Sequence, residues 1–187
     1  MKTKEQAHEA VKTILEYVGE DPNREGLIDT PDRFVRALDE WFGGYKINPE
    51  QLLSTTFSEV EGYNEIVILR NIRIESHCEH HMVPILGTAT VAYLPNNKVV
   101  GISKLARVVE AYAKRYQIQE VMTRQIAETI NNVLNPQGVA VIIKAKHLCI
   151  GTRGIHKQES DMITSCMLGV FMEDATARLE LMQLIKD

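Results

Sequence analysis

The chain has 187 residues, of which 44% are hydrophobic and 25% charged, with a net charge of −4 and three cysteines. That length buries one ordinary core with room for a small appended region, so one domain with an N-terminal helical extension is expected. The acidic balance argues against a nucleic-acid-coating surface, which needs a basic patch to displace counterions, and the few cysteines exclude a disulfide-stapled miniprotein.

In chain order, Ala7, Val11, Ile14 and Val18 share one face of a helix over 4–18, stopped by Gly19 and the Asp21-Pro22 break. Thr30-Pro31 reads as an N-cap followed by proline at the first helical position, opening a second helix through Phe34, Leu38 and Trp41 to Gly43-Gly44. Apolar segments at 66–74 and 88–94, a turn at Pro95-Asn96-Asn97-Lys98, and Val99-Val100 predict strands with short reversals. From Ser103 the period changes. Leu105, Val108, Val109, Tyr112 and Tyr116 mark one helical stripe, and Met122, Ile126, Ile130 and Val133 mark another, ending before Asn135-Pro136. A second strand pair, Val139 to Cys149 and roughly Ile163 to Phe171, precedes a final helix from about Thr176 to Ile185. Strands that adjoin without intervening helices predict antiparallel pairing in an α+β fold.

The chemistry concentrates at Cys78-Glu79-His80-His81, between the first two strands, and at Cys149. A thiolate and an imidazole three residues apart close on one metal ion, and a distant second thiolate makes three protein ligands, one short of a tetrahedral zinc. The i, i+3 pair Cys78 and His81 suits a turn wrapped round the ion and leaves His80 for proton transfer. Glu79 reads either as a catalytic carboxylate or as a solvated one orienting a ligand histidine. If the strand from Val139 persists, His147 and Cys149 lie on one face, so that His147 stands beside the ligand as an acid or base. Taken singly, a strand cysteine is most often a small buried hydrophobe and a strand histidine a hydrogen-bonded core residue. Together with Cys78 and His81 they point to a site. His77 and His156 read as surface or supporting residues, and His8 as exposed on a polar helix face.

Ser103, Lys104 and Arg107 follow Gly101 at a helix start, where free backbone N–H groups and the helix dipole favour an anion. Arg153, four residues after Cys149, adds a cation, and three cations at a hydrolytic zinc site imply a polyphosphorylated substrate. Gln119-Glu120 opens the next helix. A carboxylate there serves the dipole or, if buried, accepts the paired N–H groups of a guanine edge; either role fits.

In order, Cys78-Glu79-His80-His81, Tyr93-Leu94-Pro95, Gly101 through Arg107, Gln117-Ile118-Gln119-Glu120, His147-Leu148-Cys149, Arg153-Gly154 and Thr164 through Phe171 resemble GTP cyclohydrolase I. Glu25-Gly26-Leu27 and Thr30-Pro31 extend the likeness into the N-terminal helices. The resemblance implies a tunnelling fold, an antiparallel four-stranded sheet with two helices on one face, over residues 63–187, preceded by an N-terminal helical region over 1–62. It implies a homodecamer with active sites between subunits, and conversion of GTP and water to 7,8-dihydroneopterin triphosphate and formate, the first step of folate and tetrahydropterin biosynthesis. By the same resemblance Cys78, His81 and Cys149 hold Zn²⁺ and activate water as the nucleophile for C8 of the purine. His80 then protonates the opening imidazole ring, and His147 transfers protons near the ribose. Glu120 with Gln119 reads the guanine edge, while Ser103, Lys104, Arg107 and Arg153 hold the triphosphate. His77 before the motif cysteine and Cys166 within Thr164–Gly169 depart from the family pattern and bear on metal selectivity and oxidation.

Three other readings compete. A structural zinc module requires a fourth protein ligand from His77, His80, Cys166 or a carboxylate. A zinc deaminase requires H-x-E with P-C-x-x-C; His77-Cys78-Glu79 matches the first element, but P-C-x-x-C is absent. A metal-free tunnelling-fold enzyme acting on pterins or deazaguanines is distinguished by assaying zinc. No apolar run is long enough to span a bilayer, and the opening Met1-Lys2-Thr3-Lys4-Glu5-Gln6 is polar. A reducing, cytoplasmic setting is therefore expected, without membrane or nucleic-acid partners.

Overall fold

The computed structural model describes residues 2–58 and 62–186. By internal packing the chain divides into two compact units, Met1–Gly43 and Gly44–Asp187. In the first, α1 (Lys4–Tyr17) opens with a capping box, in which Thr3 and Gln6 each accept the other's backbone N–H. α2 (Thr30–Trp41) places Pro31 in its first turn, where a missing N–H costs nothing. Lys4 pairs with Asp39 and His8 with Asp32 between the two helices, so His8 is half-buried rather than exposed.

The second unit begins where Arg115 gathers the chain. Its guanidinium donates to the carbonyls of Gly44, Ile47 and Ala111, and the Gly44 N–H donates to Lys114 O. The segment that follows, with α3 (Pro49–Leu52) and β1 (Thr56–Phe57), therefore packs with the sheet, and Leu53 is wholly buried in its core.

Four long strands, β2 (Val67–Cys78), β3 (Pro84–Leu94), β6 (Gly138–His147) and β7 (Met162–Gly169), pair antiparallel in that spatial order. The short β5 (Tyr116–Gln117) adds in parallel beside the end of β2, and the equally short β4 (Val99–Val100) pairs separately with β1. A bulge in β2 between Leu69 and Ile72 carries Asn71 at φ 58, a left-handed conformation that asparagine tolerates. Alternate residues across the sheet, Ala89 opposite Ile143, Val91 opposite Val141 and Tyr93 opposite Val139, face one core. Two long helices supply the other half of that core. α4 (Ile102–Ala113) contributes Leu105, Val108 and Val109, and α5 (Gln119–Leu134) contributes Met122, Ile126 and Ile130. This is the expected α+β tunnelling fold, with its two helices on one face.

Three boundaries differ from the sequence expectation, each at the end of a ladder. Tyr116 leaves the α4 stripe for β5 because the helix stops at Ala113. The first two strands run closer together, so Cys78 is the last residue of β2 instead of part of a loop. β7 ends at Gly169, whose φ of 58 turns the chain into the short helix α7 (Val170–Glu173). Phe171 then packs with Leu181 of α8 (Ala175–Ile185) against Ala92 and Ala140, a second, smaller core on the opposite sheet face.

Candidate active site

Cys78 ends β2 where that strand meets β5, and its backbone closes the following loop. Its N–H donates to Val83 O at 2.9 Å, and its carbonyl accepts from Met82 N–H at 2.9 Å. Met82 takes φ 58 to make this reversal, and Glu79 N–H is tied to Gln117 O. The loop thus folds both histidines back on the cysteine: His80 Nδ1 lies 3.9 Å and His81 Nδ1 3.8 Å from Cys78 Sγ.

The other side of the site corrects the expectation that Cys149 and His147 share a strand face. β6 ends at His147, opposite Ile85 of β3, while its pairing with β7 has already ended at Ala145–Met162. With no ladder to continue, the chain coils into the helical turn α6 (Leu148–Gly151), and this turn buries Cys149. The donor atoms of Cys78, His81 and Cys149 all lie within 4.8 Å of one another. Among the described residues the cluster consists of these three, two thiols buried and one imidazole exposed. Soft sulfur and nitrogen donors at this spacing fit a zinc-type cation with one tetrahedral position open. Burial pushes the Cys149 thiol up, with the neighbouring Cys78 adding to the shift and Arg153 opposing it. A divalent cation is the charge that reverses such a shift and holds both sulfurs as thiolates.

Behind the cluster, His147 Nε2 is 2.7 Å from Oε1 of Gln119. Gln119 is wholly buried, and the two hydrogens of its Nε2 are shared among Ile143 O, Met162 O and Thr164 Oγ1, all within hydrogen-bond distance. This departs from the expectation that Gln119 stands with Glu120 at a guanine edge, because every polar atom of its side chain is already engaged inside the protein. Thr123 and Thr164, which complete this arrangement, were not among the expected site residues; their only sequence signal is a polar residue within an otherwise apolar helix stripe and strand. Glu120 is exposed at the start of α5, and its carboxylate partly offsets the lowering that burial imposes on the His147 imidazole. His77, read as a surface or supporting residue, is buried beside the site, and burial followed by Lys114 lowers its pKa.

Ser103 and Arg107 are exposed and Lys104 half-exposed on the first turns of α4, whose cap residue Gly101 leaves the helix start without a side-chain cap. Arg153 is exposed beyond α6. None of these cations enters an ion pair among the described residues.

The sequence model of the family described as GTP cyclohydrolase I matches residues 7–186. The chain belongs to the GTP cyclohydrolase I family. Relatives named GTP cyclohydrolase 1 include that of Allorhizobium ampelinum, 49% identical over 99% of this chain and 92% of its own length. That of Maricaulis maris is 50% identical over 98% and 90%, and that of Brucella suis 52% identical over 98% and 86%. Among solved structures, an archaeosine synthase QueF-Like in the apo form aligns with 57% of this chain and 96% of its own, at a TM-score of 0.48 and 21% identity. For this GTP cyclohydrolase I family member, no helix among the described residues is long and apolar enough to cross a membrane.

Proposed function

We propose that this chain converts GTP and water to 7,8-dihydroneopterin triphosphate and formate, and so opens folate or tetrahydropterin biosynthesis. The observation that carries the reading is the meeting of Cys78, His81 and Cys149 from two distant segments, in a family member matched over nearly its whole length. Every residue given a role lies within 63–187, the proposed catalytic region, while the helices α1 and α2 of the preceding 1–62 stand outside the chemistry.

Cys78, His81 and Cys149 would hold Zn²⁺, which would supply Lewis-acid activation of water. The chain's own residues do the rest. Two C–N bonds break, and each nitrogen must gain a proton as it leaves. His80, exposed and 3.8 Å from the Glu79 carboxylate, is the proton donor to the opening imidazole ring. His147 moves protons near the ribose, and burial favours its neutral form as a base. Glu120 accepts the amide and amino hydrogens of the guanine edge. Ser103, Lys104 and Arg107 meet the triphosphate at the α4 start, where backbone N–H groups add to the side-chain charges, and Arg153 approaches from the Cys149 side.

The chain works as a homodecamer with active sites at subunit interfaces. Two features support this: β7 is a sheet edge, and the face beside it carries a groove lined by Ile142, Ile163, Met167, Met172 and Met182. The setting proposed is cytoplasmic. Incubating the protein with GTP and measuring formate together with the fluorescent oxidised pterin tests the activity. Release of neither product from zinc-loaded protein would refute it.

A further inference from the structure

We infer that Gln119 is a positioning residue that orients His147 and holds its neutral ring as the Nε2–H tautomer, leaving Nδ1 as the ring nitrogen that carries the lone pair. The inference rests on the proton-transfer role proposed for His147 and deepens it.

The argument is one of hydrogen-bond polarity. A carboxamide has one donor end and one acceptor end, and a flip exchanges them. One end of the Gln119 amide lies 3.2 Å from Ile143 O and 3.0 Å from Met162 O. Carbonyl oxygens only accept, so that end is the NH₂ group. The other end, 2.7 Å from His147 Nε2, is therefore the oxygen, which also only accepts. His147 must supply the hydrogen, and in the neutral ring Nδ1 is left as the lone pair.

The two threonines support the same direction from an independent route. The Thr123 hydroxyl, 2.7 Å from Gln119 O, has one hydrogen and spends it on that carbonyl. Its oxygen, 2.7 Å from Thr164 Oγ1, therefore accepts from Thr164. With its own hydrogen used, Thr164 Oγ1 can only accept, and at 3.1 Å from the Gln119 amide it shares the two N–H hydrogens with the carbonyls. The circuit closes in one sense only, and it again puts NH₂ on the threonine side and oxygen on the histidine side. Flipping the amide would set Oε1 against two carbonyls and a hydroxyl whose hydrogen is committed, all in a buried setting where an unmatched polar group is strongly disfavoured. His147 is thus oriented by a neutral acceptor anchored to α5, β6 and β7 at once.

Solid-state ¹⁵N NMR of the histidine-labelled, zinc-loaded enzyme reads the tautomer directly, with the His147 signals assigned by their loss in His147→Ala. The neutral ring should show a protonated Nε2 and a lone-pair Nδ1; the opposite pattern overturns the inference. Gln119→Met, which keeps length but removes the amide, should lower kcat by about 10–100-fold while KM for GTP and metal content stay near the parent's. In a His147→Ala background the same change should cost nothing further, because a positioning residue has then nothing to position. An equal fold loss in both backgrounds would show that Gln119 acts through general packing and would overturn the inference. Full turnover by His147→Ala would instead remove the proton-transfer role itself, and the inference with it, whatever the tautomer. Should Gln119→Met fail to fold, the spectrum of the parent enzyme still decides.

Discussion

The two sides of the site are built by opposite means. On the α5–β6–β7 side, Cys149 is buried, His147 is half-buried, and the amide behind it meets four partners inside the protein. On the side formed by the β2–β3 loop, His80 and His81 are exposed; Ser103 and Arg107 are exposed too, but on the first turns of α4, near the Ile72 stretch of β2 and away from the Cys78 end. The difference separates two tasks. Placing a proton or a soft ligand requires a side chain held in one geometry, which a satisfied buried network provides. Gathering a polyanion requires uncommitted positive charge in water, which rigid ion pairs within the chain would cancel. The proposal of active sites between subunits extends this contrast, since the open side is the one left for a ligand or a neighbouring chain to complete.

The largest effect should come from the buried side. Cys149→Ser should remove bound zinc and turnover together, because the remaining cysteine and histidine cannot hold the ion. Metal analysis and formate release on one preparation check this, and a zinc-free variant with full activity would break the comparison at its root.

Next in size, His147→Ala and His80→Ala should each lower turnover by about 10²–10⁴-fold while keeping zinc. If His80→Ala lost its zinc while His81→Ala kept it, the ligand and the proton donor would have to exchange places. The comparison sharpens if imidazole added to the solution restores His80→Ala, on the open side, more than His147→Ala, on the closed side.

Arg107→Ala tests the exposed cations of α4 alone. Loss of one charged hydrogen bond, about 1.5–3 kcal/mol, should raise KM for GTP by about tenfold or more, with zinc content and thermal stability unchanged. Guanosine should bind the parent far more weakly than GTP; equal binding would place the triphosphate elsewhere. The smallest effect is expected at Met82→Gly. The left-handed φ of Met82 costs a side chain about 1–2 kcal/mol, and glycine relieves this at an entropic cost of about 0.5–1 kcal/mol. Melting should therefore shift upward by a small amount with zinc binding intact, and marked destabilisation would show that the Met82 side chain itself braces the loop.

Much of the fold and of the site is legible in the amino-acid sequence by itself. Helical stripes in α4 and α5, the alternation in β3 and β6, and the Cys78-Glu79-His80-His81 spacing are local patterns, and local patterns follow from the periods of helix and strand. They suffice for an α+β fold, for a ligand pair in a turn, and for an anion site at a helix start. The resemblance carried by the motifs adds guanine and the pterin product, which residue spacing does not reach.

Tertiary structure alone decided three things. Cys149 meets Cys78 through a helical turn, not along a strand, because β6 runs out of partners at His147, and where a ladder ends depends on the lengths of other strands. Gln119 points inward, because the end of the β6–β7 ladder leaves Ile143 O and Met162 O within its reach. Thr123 and Thr164, separated by 41 residues, join it only once α5 lies on the sheet. A sequence determines which groups can donate or accept; the direction of a buried hydrogen-bond circuit, and with it the tautomer of a histidine, exists only after distant acceptors have been brought together and water excluded.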